Sequence, residues 1–339
     1  MTLKNISFRN LKYEEYDKFR SYYKTNLDKK NVFVKNKKVF DYHFKNKKKY
    51  NFFITILKKK IISIQGYIPQ SKYDYKLSNK EIFLSNFHSL QNTIPGIGRL
   101  AFTKLIKQKI FVGSTNFPVR MLEYHKRLGF TTGKMKHYFL ISPFIKKFQI
   151  IKIKKKIKKI ILKKNINLLN LKIKKIEFCK DIKLDNKYFK NFMPTKSINF
   201  IKNRYLSYPY FKYQCYEIYK NEKAIAVIIL KKFKYKDKNI LKIIDFFGEQ
   251  KNFIILKDVF LYLLKINKSE AIDFYQHGIE DKFIKKAGFK DKEKYKEVII
   301  PEWFNPFYKK NIDYYYAYKN KTKKPIRLFK GDGDRDRPN

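Results

Sequence analysis

A chain of 339 residues with 44% hydrophobic and 18% aromatic residues can bury two ordinary cores, which excludes global disorder. Its two cysteines, Cys179 and Cys215, cannot build a disulfide framework or a four-ligand zinc site, so a reducing compartment is expected. The net charge of +51 rests on lysine, since only nine of the 80 basic residues are Arg. Lys, Asn, Ile, Tyr and Phe share A/T-rich codons, so genome composition accounts for the surplus without a ligand. Lys also lacks the planar fork with which Arg reads phosphates and bases. Such charge still attracts anions, and a nucleic acid or an anionic membrane surface stays open as an alternative partner. No apolar run approaches the roughly 18–20 residues that span a bilayer. The first twenty residues, with Lys4, Arg9, Glu14 and Glu15, lack the apolar stretch of a signal peptide, so a cytoplasmic protein is expected.

In chain order, a short strand is predicted over Ile6–Arg9, then helical character from Lys12 to Lys24. Apolar runs at Asn51–Leu57, Ile61–Tyr67 and Ile82–Leu90 predict three strands. The turn TIPGIG opens an amphipathic stretch, Leu100–Gln108, and a strand at Ile110–Gly113 leads to a helix ending in KRLGF. The strand His137–Ile141 is expected to close this first half.

From Tyr124 to Ile176 there is no acidic residue, and residues 146–175 hold 13 Lys. Alternation that shifts toward helical spacing predicts a strand running into a connecting helix, with a solvated lysine face. Beyond it the order repeats. Tyr213–Tyr219, Ala224–Phe233 and Leu241–Phe247 read as antiparallel strands and Phe253–Leu264 as a helix. Ala271–Tyr275 reads as a strand, Ile279–Ala287 as a helix ending in KKAGF, and Tyr295–Ile300 as the last strand. Gly129-Phe130 and Gly288-Phe289 fall at matching points, which implies duplication. The predicted units are 1–145, a connector 146–176, a second domain 177–325 and a tail 326–339.

The order helix, β-meander, glycine turn, helix, strand, helix, Gly-Phe, strand resembles the GNAT acyltransferase superfamily. The resemblance implies an α+β fold of two tandem domains, each a mostly antiparallel sheet flanked by helices. It also implies acyl-CoA as co-substrate, its pantetheine arm between two splayed strands and its pyrophosphate on a glycine turn at a helix start. Here the turn is Thr93-Ile94-Pro95-Gly96-Ile97-Gly98-Arg99, with Thr93 where the family carries Gln or Arg. Glycines let backbone amides approach phosphate oxygens, and Arg99 adds a positive charge. Asn116 and Tyr124 are similar to the family's downstream segment, in which a Tyr protonates the departing thiolate. Counting back from Gly129 puts His125 at the Tyr position, so Tyr124 or His125 is the candidate acid. Neighbours on a helix point about 100° apart, so one of the two is expected to face the cleft. His88, late on the strand before the turn, is the candidate base, since an imidazole near its ordinary pKa can take an amine proton.

The second half has no phosphate turn: Phe247-Gly248-Glu249-Gln250 places an acid where an anion would sit. Its polar candidates for the acceptor are Arg204, Tyr213 and Asp245. The stretch Arg204–Tyr213 and the run Lys330–Asn339 resemble two-domain GNAT-like proteins found with surface-polysaccharide genes. Asp332, Asp334 and Asp336 alternate like the start of a calcium loop, but Arg337 occupies the place of the required Gly, so no metal is expected. The tail is expected to dock, with Arg335 and Arg337 clasping a sugar-nucleotide phosphate or an acidic partner.

The expectation is therefore an N-acyltransferase acting on an amino sugar in surface-polysaccharide biosynthesis. Two alternatives keep or drop the chemistry. One is a Fem-like transferase that draws an amino acid from charged tRNA; the other is a non-catalytic adaptor for polyanions.

Overall fold

The computed structural model describes residues 5–153, 161–304 and 306–334. The chain opens with β1 (Ile6–Lys12), a helical turn, and α1 (Tyr16–Asn26), whose buried Tyr16, Phe19, Tyr22 and Tyr23 recur at helical spacing. Asn31 and Asn36 cap the short helices α2 (Val32–Lys35) and α3 (Lys37–Phe44) by accepting from the amides of Phe33 and Val39. Then come β2 (Lys45–Asn46), β3 (Lys49–Leu57), β4 (Lys60–Pro69), β5 (Glu81–Ser89), α4 (Ile97–Ile106) and β6 (Phe111–Thr115). Next are α5 (Met121–Arg127), β7 (Thr131–Lys134) and β8 (Lys136–Ile141).

The second half starts at β9 (Leu171–Ile176), α6 (Lys187–Lys190) and α7 (Ile198–Ile201), followed by a wide helical turn over Lys202–Leu206. It continues through β10 (Tyr213–Lys220), β11 (Lys223–Tyr235), β12 (Lys238–Gly248), α8 (Lys257–Ile266), β13 (Ser269–His277) and α9 (Asp281–Lys286). The remaining strands are β14 (Lys290–Asp291), the hairpin β15 (Trp303–Phe304) and β16 (Phe307–Tyr308), β17 (Tyr315–Asn320) and β18 (Leu328–Phe329).

Apart from the β15–β16 hairpin, these strands make two eight-stranded sheets of mixed, mostly antiparallel pairing. The first runs β1-β3-β4-β5-β6-β17-β7 with β2 on β3; the second runs β14-β8-β13-β12-β11-β10-β9 with β18 on β13. The α+β fold with two tandem, similarly built domains is as expected.

The topology corrects two strand assignments. The segment expected to close the first half, β8, pairs instead with β13 in the second sheet, from Lys136 opposite Gln276 to Ile141 opposite Ala271. Its place in the first sheet is taken by β17, which joins β6 on one edge and β7 on the other. The halves thus exchange one strand each, and the crossing point is Met135, whose amide bonds the Tyr314 carbonyl at 2.7 Å. Residues 295–300 form no strand; only Ile299 makes an isolated bridge, to Lys152. The strand-to-helix connector falls partly on 154–160, outside the described residues; the described part of 142–170 contains no helix.

One apolar core runs through both halves, from Phe19, Phe40 and Phe52 to Ile201, Tyr205 and Val227. Polar ties reinforce it. Thr195 gives both its amide and its hydroxyl to the Glu81 carboxylate, at 2.8 and 2.6 Å, and Asn203 Nδ2 donates to the Tyr73 carbonyl at 2.6 Å. Among the described residues no helix is long and apolar enough to cross a membrane.

Candidate active site

β5 is the strand on which the site is built. Its register against β4 slips between Gln65 and Gly66, which face Phe87 and Ser85. Asn86 is the extra residue of this bulge, with φ of 42°, a conformation Asn tolerates better than most residues. The Gln65 side chain closes the bulge by donating from Nε2 to the Ser85 carbonyl at 2.7 Å. On its other edge β5 holds β6 in parallel only over Glu81–Phe83, opposite Phe111–Gly113. Beyond Phe83 the two strands part. The gap opens into a cavity of about 210 Å³ whose walls include Gln65, Ser85, Phe87, Ser114, Tyr124 and His125.

The start of α4 stands at the end of β5. Gly96 caps the helix in the left-handed region, with φ of 75°. Gly98 is required by proximity: a Cβ there would meet Ser89 Cβ at 2.8 Å and Phe87 Cζ at 3.1 Å. The Leu100 amide closes the first turn on the Gly96 carbonyl, and the Ile97 amide bonds the Ile94 carbonyl at 3.1 Å. The amides of Gly98 and Arg99 have no acceptor four residues back within the helix. With the exposed Arg99 they make this helix end attractive to an anion.

α5 supplies the facing wall. Tyr124 stacks on Phe87 with ring centroids 5.7 Å apart, and its Oη is buried with no hydrogen-bond partner among the described residues. Burial raises its pKa, while the nearby Arg99 charge pulls the other way. His125 Nδ1 lies 2.8 Å from the Met121 carbonyl, a contact that requires a proton on Nδ1 and leaves Nε2 as an acceptor. Burial lowers its pKa, partly offset by that bond. Both residues line the cavity, although helical geometry led us to expect only one. The lining runs along α5 from Met121 to His125 and onto Phe117 and Pro118 before it.

Other expected site residues stand elsewhere. His88 lies outside the cavity lining, with Nδ1 2.8 Å from Tyr22 Oη, and burial lowers its pKa. Asn116 follows β6 with φ of 53°, and its amide bonds the Tyr315 carbonyl at 2.7 Å. Arg204, Tyr213 and Asp245 gather away from the cavity. Arg204 is fully buried and donates from Nη2 to the carbonyls of Gly331 and Gly333. Asp245 accepts from Lys196 Nζ and Tyr205 Oη, both at 2.7 Å, and the Tyr213 ring packs 5.2 Å from that of Tyr205. Arg335 and Arg337 lie outside the described residues. Sequence reasoning missed Gln65, Ser85 and Asn86, for which an Asn interrupting a strand pattern was the available signal. Among the described residues no group of His, Cys, Asp and Glu is placed to hold a metal ion.

No family model and no curated protein matches the sequence. Solved structures do. A GCN5-related N-acetyltransferase from Anabaena variabilis ATCC 29413 matches over 94% of this chain and 73% of its own, with a TM-score of 0.57 and 8% identity. A conserved protein of unknown function from Enterococcus faecalis V583, described as a probable N-acyltransferase, matches over 93% and 72%, with a TM-score of 0.52 and 8% identity. The chain has the fold of the GCN5-related N-acetyltransferases, carried twice.

Proposed function

We propose that the protein is an N-acyltransferase that moves an acyl group from acyl-CoA to an amine, with an amino sugar or sugar nucleotide of a surface glycan as the acceptor. The observation that carries this reading is the parting of β5 from β6 after Phe83, beside a helix start whose amides are free to meet an anion. A pantetheine arm needs such a gap, because it must pass through a sheet while its amides find partners among unpaired strand groups. In this reading Gly98 and Arg99 meet the pyrophosphate. Tyr124 is the proton donor to the thiolate, since its hydroxyl is buried beside the cavity without another partner. His125 keeps Nε2 as a second group able to exchange a proton there. The first domain takes the donor, and the second domain with the tail holds the acceptor.

Acetyl-CoA at about 100 times its Kd should add about 2.7 kcal/mol of stability, read as a rise in melting temperature. Gly96→Glu, which sets an acid at the helix start, should abolish the rise. No shift with any acyl-CoA, together with salt-sensitive binding of charged tRNA, would favour the aminoacyl-tRNA alternative. Polyanion binding without either donor would favour the adaptor.

A further inference from the structure

Among the described residues the cavity has no carboxylate in its own walls. An acceptor amine near neutral pH is an ammonium and must shed a proton before it can attack a thioester. A carboxylate that reaches this wall comes from the segment 328–334. β18 pairs with Gln276 and His277 of β13, and the Gly331 amide bonds the Ile244 carbonyl at 2.8 Å. Arg204 holds the carbonyls of Gly331 and Gly333 at 3.2 and 3.3 Å, and Thr115 Oγ1 donates to the Asp332 carbonyl at 3.1 Å. Gly333, with φ of 79°, turns the chain beside Phe83 and Thr115, where β5 and β6 begin to part. Asp334 follows, 3% exposed, and Ser85 Oγ donates to its Oδ2 at 2.6 Å.

The hydrogen bonds around Ser85 run in one direction. Tyr23 Oη donates to Asn86 Oδ1 at 3.1 Å, which turns the amide so that Nδ2 donates to Ser85 Oγ at 2.6 Å. A hydroxyl has one proton and two lone pairs. The proton goes to Asp334 and one lone pair to Asn86, so one lone pair remains on a residue of the cavity wall.

We propose that Ser85 and Asp334 form a proton relay for the acceptor amine, with Ser85 the catalytic residue and Asp334 the positioning residue behind it. The inference rests on the acyl-transfer reading. The ammonium passes a proton to Ser85 Oγ as the Ser85 proton moves to the Asp334 carboxylate. The freed nitrogen lone pair forms the C–N bond to the thioester carbonyl carbon. When the adduct collapses the C–S bond breaks, and its electron pair leaves on the thiolate. The nitrogen's second proton balances the one the thiolate takes up, and Asp334 returns its proton to water.

The test follows thiol release from acetyl-CoA by the full-length protein, with glucosamine and glucosamine 6-phosphate as amines and with water alone. Asp334→Asn should lower kcat about a hundredfold at unchanged KM for acetyl-CoA, and Asp334→Glu should recover most of the loss. Ser85→Ala and the double variant should fall to the same level, as members of one relay do. Melting temperatures establish that each variant is folded. Asp334→Asn turning over like the wild type, or losing rate through KM alone, overturns the relay and leaves the acyl-transfer reading intact. A wild-type protein with neither an acetyl-CoA thermal shift nor thiol release, to amines or to water, sinks that reading and the relay with it.

Discussion

Both sheets part at the same place, and only one of the two gaps is left open. In the first half β5 and β6 separate after Phe83 and Gly113, and the space is a cavity of about 210 Å³. In the second half β12 and β13 separate after Ile243 and Phe274, and the chain's own residues 328–332 fill the space. The fit there is tight, since a Cβ on Gly331 would collide with Tyr205 and Ile244. Polar groups differ in the same sense. Around the filled gap Lys196 stands 2.7 Å from Asp245 and 2.9 Å from Asp332, and Tyr205 donates to Asp245. Beside the open gap the Tyr124 hydroxyl has no partner among the described residues. A parted strand pair exposes groups that need partners. Where the chain supplies them the gap has become scaffold; where it does not, the gap is fit for a ligand.

The largest effect should come from breaking the filling of the second gap. Lys196→Met leaves the Asp245 and Asp332 carboxylates buried without their cation, and breaking a buried pair from one side costs about 3–5 kcal/mol. Urea denaturation should show that loss, and adding Asp332→Asn should recover part of it. A loss under about 1 kcal/mol would mean that these charges do not hold the filling in place. The converse change fills the first gap. Ser114→Trp puts an indole into the cavity and should weaken acetyl-CoA binding about a hundredfold, or about 2.7 kcal/mol, by calorimetry. Unchanged affinity would place the donor elsewhere.

Much of this arrangement was legible in the sequence because periodicity reports which residues are buried. The helical spacing of α1 and α8 and the apolar runs of β10, β11 and β12 gave those elements within a few residues. The glycine turn before α4 was legible for a chemical reason, since Gly98 must approach β5. The strand exchange was not. A period of two says which face of β8 is apolar and nothing about which sheet it joins, and KHYFLI suits either. The bulge at Asn86 left one trace, a polar residue inside a strand pattern, which does not say that the strand bulges there. The tail was expected to dock, but its sequence does not say against which strand, and nothing local marks Lys196, Lys242 and Lys330 as buried among so many lysines. Their burial depends on partners remote in sequence: Asp245 and Asp332 for Lys196, Asp273 and Glu302 for Lys242, and Glu302 for Lys330.

A smaller effect separates function from stability at the open gap. Tyr124→Phe removes a buried hydroxyl that bonds nothing among the described residues, so the melting temperature should hold or rise slightly. If that hydroxyl protonates the thiolate, kcat should fall by about tenfold to a hundredfold at unchanged KM for acetyl-CoA. A variant as fast as the wild type would pass the role to His125, whose Nε2 is the other group at that wall able to exchange a proton.

The smallest effect is a pH dependence that belongs to the filled gap. Burial pushes the Asp332 carboxyl up, Lys196 opposes it and Asp245 adds to it, leaving it at about 6. In the unfolded chain the same group ionises near 3.9. Between those values the folded protein holds a proton that the unfolded chain has released. The stability this group contributes is therefore full below about 4, falls as pH rises to about 6, and is flat above. One lysine between two carboxylates makes a neutral filling only when one of them is protonated. The amide introduced by Asp332→Asn cannot ionise, so the stability of the wild type relative to that variant should decline across that window. Urea midpoints at intervals from pH 4 to 8 measure it. A difference that stays level or grows with pH would mean that both carboxylates are ionised against Lys196, and that the second gap is closed by packing and backbone bonds alone.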